Sequence, residues 1–232
     1  MKRVLILAAL AATALSAPSE ALATDECNGL DVCISVPGPW VAVPGSPTGR
    51  LRTIEYQLSC PRGSIVGGLD AVLVDRALSV RFLGRLGSPV NPGITTERAV
   101  VFVATHAKRA PTAFRPLLGC IPTSGGGGRS TTAVGAVPAR PPVRVVRSVR
   151  VRAGRQATLA VSCRSGERLV SSSHVVTFRG PRAPNTRALG AVSVARSERG
   201  RRVEVRARRT VGIPTGMRVD VQVHAICARG PA

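Results

Sequence analysis

The chain has 232 residues, with 33 Lys and Arg against 12 Asp and Glu and a formal net charge of +21 at neutral pH. Hydrophobic residues make up 44% of it, enough for packed cores, whereas aromatic residues make up only 3%. That scarcity argues against sugar or single-stranded nucleic-acid sites built on flat stacking platforms.

Residues 1–23 predict an export signal. Lys2 and Arg3 precede an apolar run over residues 4–14, and the segment ends on the small-x-small site Ala21-Leu22-Ala23. The run is shorter than the ~20 residues a spanning helix needs. No second hydrophobic stretch of that length follows, so the expected address is outside the cell or at its wall, with no transmembrane segment. Removing Lys2, Arg3 and Glu20 leaves a net charge of +20, and Lys108 is then the one lysine among the basic residues.

The remaining length suits two modest domains. Residues 24–50 read as a short arm stapled by Cys27 and Cys33 and rich in proline, with Trp40 placed to plug a core edge. Residues 51–122 form a first β unit. In it Ile54, Tyr56, Leu58 and Cys60 alternate with Glu55, Gln57 and Ser59, and residues 78–82 and 99–104 are further strand candidates. Residues 123–142 form a linker, because four consecutive glycines (Gly125 to Gly128) lose too much backbone entropy to hold regular structure. The run lacks the Lys-Ser/Thr that follows a phosphate-cradling loop.

Residues 143–232 form a second β unit. Residues 192–208 predict a hairpin turning near Glu198 to Gly200. In residues 217–227 the apolar side chains at 217, 219, 221, 223 and 225 share a face with Cys227, while His224 points outward. Leu58-Ser59-Cys60-Pro61-Arg62-Gly63 in the first unit is echoed by Val161-Ser162-Cys163-Arg164-Ser165-Gly166 in the second. Each cysteine leads on to another, Cys120 or Cys227.

Six cysteines (Cys27, Cys33, Cys60, Cys120, Cys163 and Cys227) in an exported chain favour disulfides. Inward sulfurs on the first and last strands of one unit can meet across a sandwich. The preferred pairing is therefore Cys60 with Cys120, Cys163 with Cys227, and Cys27 with Cys33. Zinc would need close ligand pairs, which this spacing lacks, and neither metal nor cofactor is expected.

Catalysis finds little support. There is no G-x-S-x-G elbow and no H-E-x-x-H helix. His106, His174 and His224 are far apart in sequence and read as ordinary surface or edge residues. Asp70 and Asp75, the candidates for paired carboxylates, read more simply as counterions to Arg76 or Arg81. A secreted hydrolase with a site hidden from sequence stays open as the alternative.

Charge is the remaining lever. Residues 143–232 hold 19 arginines against Glu167, Glu198, Glu204 and Asp220, whereas residues 51–122 hold nine basic residues against four acids. Arg144, Arg147, Arg150 and Arg152 crowd the strand entering the second unit, and Arg202, Arg206 and Arg208 share one outward face of its hairpin with Glu204 between them. Forked guanidinium groups suit phosphate and carboxylate. These seven arginines are the candidate anion-binding residues. The expected partners are a teichoic-acid-like polymer, phospholipid head groups, an acidic polysaccharide, or nucleic acid bound non-specifically. A solvated strand face that discourages sheet-to-sheet aggregation is the competing account. No protein partner is indicated.

At Cys60-Pro61-Arg62-Gly63 with Val66-Gly67-Gly68 the chain resembles the Cys-Pro-x-Gly repeats of exported proteins from high-GC Gram-positive bacteria. The ending His224-Ala225-Ile226-Cys227-Ala228 is similar too. The second unit departs from the pattern with Arg164 in place of proline and Ser171-Ser172 near the diglycine position. The resemblance implies export and a stapled β fold and supplies no active site. The expectation is an all-β protein of two disulfide-closed, sandwich-like units in tandem, joined by a Gly/Pro-rich linker and working as a non-catalytic envelope or extracellular binding protein.

Overall fold

In a computed structural model the described residues are 25–30, 32–90, 97–123, 141–210 and 212–229. The export-signal reading and most of the linker lie outside them. Among the described residues strand accounts for 61% and helix for 4%, an all-β fold. The strands of the first half are β1 (Ile34–Pro37), β2 (Trp40–Val43), β3 (Arg52–Ser59), β4 (Ser64–Leu73), β5 (Ser79–Gly84), β6 (Ala99–His106) and β7 (Thr112–Pro122). Those of the second half are β8 (Val143–Val151), β9 (Gln156–Ser162), β10 (Glu167–Arg179), β11 (Val192–Arg199), β12 (Arg202–Arg209) and β13 (Arg218–Arg229). One short helix, α1 (Thr186–Gly190), starts where the Asn185 side chain accepts from the Ala188 N–H.

Each half sets a three-stranded sheet over part of a seven-stranded one. The small sheets run β3-β6-β5 and β11-β12-β9, and the large sheet runs β1-β7-β2-β10-β13-β8 with β4 on the other edge of β7. Alternation explains the layers. Val203, Val205 and Ala207 of β12 face Val219, Val221 and Val223 of β13 in one buried core, and Ile54 and Tyr56 of β3 face Phe114 and Leu118 of β7 in another.

The large sheet also corrects the expectation of two units merely strung on a linker. β2 lies within the proline-rich arm, yet it pairs with β7 through Val41↔Phe114 and with β10 through Phe178↔Trp40. One continuous sheet therefore runs through both halves, and Trp40 is buried in the second core while Val41 and Val43 are buried in the first.

Disulfides join Cys27 to Cys33, Cys60 to Cys120 and Cys163 to Cys227. The two long bridges run between layers, from just past β3 to β7 and from just past β9 to β13. Both halves show one local register. Val66 stands opposite Cys120 and Gly68 opposite Gly119, with a bulge between; Leu169 stands opposite Cys227 and Ser171 opposite Ile226, again with a bulge between.

The diglycine has a steric reason. The 3₁₀ turn Asp25–Cys27 crosses the sheet where Gly68 and Gly119 face each other, and a Cβ on either would stand 1.8 Å from the carbonyl oxygen of Glu26. The second half has Ser171 and Ile226 at the matching places. Gly119→Ala is expected to cost about 2–3 kcal/mol through overpacking and to loosen the turn carrying Cys27. Urea unfolding checks the first effect and hydrogen exchange at residues 26–30 the second. Gly84→Ala is the control: its new methyl meets nothing nearer than 3.5 Å, and a change under about 1 kcal/mol is expected.

Candidate functional site

The hairpin β11–β12 turns at Gly200-Arg201, with Gly200 at φ +56° and Arg199 opposite Arg202. Because Val203, Val205 and Ala207 face the core, Arg202, Glu204, Arg206 and Arg208 stand on the solvent side. Neighbouring strands supply small side chains to the same face. Ser162, Ala160 and Thr158 of β9 lie opposite Arg202, Glu204 and Arg206, and Ser197, Ala195 and Ser193 of β11 lie opposite Glu204, Arg206 and Arg208. The result is a ridge of guanidinium groups between two low flanks. Alternate residues on a strand are about 7 Å apart, so along β12 Arg206 and Arg208 are about 7 Å apart and Arg202 and Arg206 about 14 Å, with Glu204 between them.

Glu204 organises the ridge without neutralising it. Its carboxylate accepts from Arg206 Nε at 2.9 Å and from Arg202 Nη2 at 3.4 Å. More than half of each of these arginine side chains is exposed. Arg199 and Arg208 are exposed, and among the described residues neither forms an ion pair. The four arginines and Glu204 give this face a net charge of +3. Sequence reasoning missed Arg199 because it sits beside the turn. Its place on the face follows from the two-residue turn that sets Arg199 against Arg202.

The seven sequence candidates do not form one surface. On β8, Arg144 and Arg150 point to the outside of the large sheet, whereas Arg202, Arg206 and Arg208 point to the outside of the small sheet, on the opposite side of the second core. Arg150 is 3.7 Å from Asp220. Arg147 and Arg152 are exposed, and Arg147 shares the parity of Val145 and Val149, which pack on the core.

Arg144 is a correction. It is buried, and its Nη1 donates to Glu55 Oε2 at 2.5 Å and lies 2.9 Å from His224 Nδ1. The cause is that β3 of the first half packs its free edge against the outer face of β13. There the Gln222 side chain takes the place of a neighbouring strand, accepting from the Gln57 N–H at 2.8 Å and donating to the Gln57 carbonyl at 3.2 Å.

His224 therefore also departs from the surface reading: it faces away from its own core and is buried by the other half. Its Nε2 is 2.7 Å from Gln222 Oε1. Since that oxygen can only accept, Nε2 carries the proton and Nδ1 accepts from Arg144. Burial, followed by the Arg144 charge, pushes the imidazole pKa down to about 3.

The other candidate groups remain apart. His106 is buried, contrary to expectation, with Nε2 3.6 Å from Asp75 Oδ2. Asp75 pairs with Lys108 at 3.0 Å, not with Arg76 or Arg81. The Ala77 N–H, followed by Lys108, holds its carboxyl below the usual range. Asp70 accepts from the Ala71 N–H. Among the described residues no three His, Cys, Asp or Glu side chains are grouped to hold a metal ion, and no helix is long and apolar enough to cross a membrane. Comparison with family models, with curated proteins and with solved structures returns no match.

Proposed function

We propose that this is an exported, non-catalytic binding protein that attaches to anionic polymer at the cell envelope through the outer face of β9, β12 and β11. The observation that carries the reading is the exposed ridge of Arg199, Arg202, Arg206 and Arg208, with one carboxylate among them and small side chains on both flanks. A linear polyanion lying along β12 meets several guanidinium groups at once. Its recognition rests on charge and forked hydrogen bonds, because the face carries no aromatic side chain for stacking. Three disulfides suit an oxidising location. The common register at the two bulges supports reading the halves as copies of one unit, of which the second has acquired the charge.

The test is binding of a poly(glycerol phosphate) chain across a salt series. Roughly 0.7 of a log unit in slope is lost per phosphate neutralised on a flexible polyanion. Four contacts therefore predict a log–log slope of about −2.8, and Arg202→Gln, Arg206→Gln and Arg208→Gln together reduce it to about −0.7. A slope unaffected by the triple substitution contradicts the proposal.

A further inference from the structure

The floor of the arginine ridge is a carboxylate. A notch of about 110 Å³ is lined by Arg199, Arg202, Glu204 and Arg206 together with Ser197, and Ser197 stands opposite Glu204 in the register of β11 and β12. Arg206 Nε and Arg202 Nη2 both reach back to Glu204, so cation, carboxylate and cation lie side by side. The carboxylate is open to solvent: 23% of the Glu204 side chain is exposed, against 56% for Arg202 and 64% for Arg206.

That mixture constrains what settles there. An ionised carboxylate only accepts hydrogen bonds, and each of its oxygens keeps a second lone pair beyond the one an arginine takes. An oxygen of a phosphate diester, a sulfate or a carboxylate placed over Glu204 would also only accept, and it would bring like charge to like. A ligand ammonium would donate, but it would lie beside the guanidinium groups of Arg199, Arg202 and Arg206. The group that suits this point is a neutral donor next to an anion, which is a hydroxyl one or two carbons from a phosphate. Its proton goes to Glu204 while its oxygen accepts from the Ser197 hydroxyl.

We propose that Glu204 makes the ridge selective for polyol phosphates, with phosphate groups on Arg199, Arg202 and Arg206 and the free hydroxyl between them donating to Glu204. This selectivity presupposes attachment through the ridge, as proposed above, and narrows the partner from any chain of negative charges to one that alternates phosphate with hydroxyl-bearing carbon. Glu204 then has two tasks: it holds the guanidinium heads of Arg202 and Arg206, and it reads the group beside the phosphate.

The experiment titrates two synthetic oligomers of equal length into the full oxidised chain by calorimetry across a salt series. One is oligo(glycerol phosphate); the other is oligo(propane-1,3-diol phosphate), which has the same phosphates on the same backbone without the hydroxyl. The glycerol form is expected to bind roughly three- to tenfold more tightly, the effect of one hydrogen bond to a partly exposed charged group. The two salt slopes are expected to be equal, because the phosphates are the same. Glu204→Ala is expected to bring the ratio of affinities down to about one. Glu198→Ala is the control, since that carboxylate lies on the other face of the hairpin and accepts from Ser172 Oγ at 2.6 Å, and it is expected to leave the ratio in place. A Glu204 that merely spaced the arginines would shift both affinities together and leave their ratio unchanged in Glu204→Ala, which would overturn the selectivity. Equal affinities on the unaltered chain with the salt slope intact would also overturn it and leave attachment through the ridge standing, whereas failure of both oligomers to bind overturns the two together. Should Glu204→Ala fail to fold, the ratio on the unaltered chain decides it, read with amide shifts at Ser197 and Glu204 that the propanediol oligomer does not produce.

Discussion

Cys163→Ala together with Cys227→Ala is expected to lower the unfolding free energy by about 4 kcal/mol, the value the chain-entropy relation gives for a crosslink of this span. The sequence separation is 64 residues, and releasing such a loop enlarges the unfolded ensemble far more than releasing a short one. The bridge also joins the layers of the second half, where Cys163 and Cys227 are buried in the core. For a chain of this length the loss corresponds to a fall of roughly 10–15 °C in melting temperature. Cys27→Ala with Cys33→Ala, closing a separation of only six residues, is expected to cost about 2 kcal/mol. Denaturant unfolding of the two double variants under non-reducing conditions gives the comparison. Equal losses, or a larger loss for the short loop, would contradict the role assigned to the long bridges.

Acidification is expected to destabilise the protein well above the range in which most carboxylates titrate. In the folded chain His224 binds a proton only near pH 3, whereas in the unfolded chain it does so near 6.5. Between those values the unfolded state holds the extra proton, so stability is greatest above 6.5 and falls as pH drops towards 3. From pH 7.5 to 4.5 the loss from this residue is on the order of 2–3 kcal/mol. The structural reason is specific: a proton on Nδ1 would set an N–H against the guanidinium of Arg144, which Glu55 holds in place. His174, shifted in the same direction, adds to the slope, while Asp75 adds its own loss only at lower pH because its carboxyl is held low. Urea unfolding at several pH values between 7.5 and 4.5 measures the slope, and His224→Gln is expected to flatten it. An unchanged slope in that variant would show that the junction between the halves does not depend on a neutral imidazole.

The strands that sequence reveals are those whose neighbours in the chain share their environment. Residues 52–60 and 217–227 alternate cleanly because one face packs in its own apolar core while the other meets polar groups or solvent, and the inward cysteines at their ends predict the long bridges. The β11–β12 hairpin is readable for the same reason, with Gly200 marking the turn. β2 is different. It is four residues long and set among prolines, and its partners lie about 70 residues away in β7 and more than 130 away in β10. No local pattern announces a strand that two halves share.

The candidate site divides along the same line. Arg202, Arg206 and Arg208 are outward on a strand whose outer side stays uncovered, so period-two reading places them correctly. Arg144 and His224 are outward by the same count, but β3 covers that side of the sheet, and a charged side chain becomes a buried partner of Glu55. Parity tells which side of a sheet a residue occupies. A second layer on that side is a tertiary fact, visible only once the register of Gln57 against Gln222 is known.

The most direct measurement is amide chemical-shift mapping of the full chain during titration with a poly(glycerol phosphate) chain. The account predicts shifts concentrated on β9, β11 and β12, with the largest near Arg199, Arg202, Arg206 and Arg208. Shifts spread evenly over all exposed arginines, or centred on Arg147 and Arg152, would contradict it.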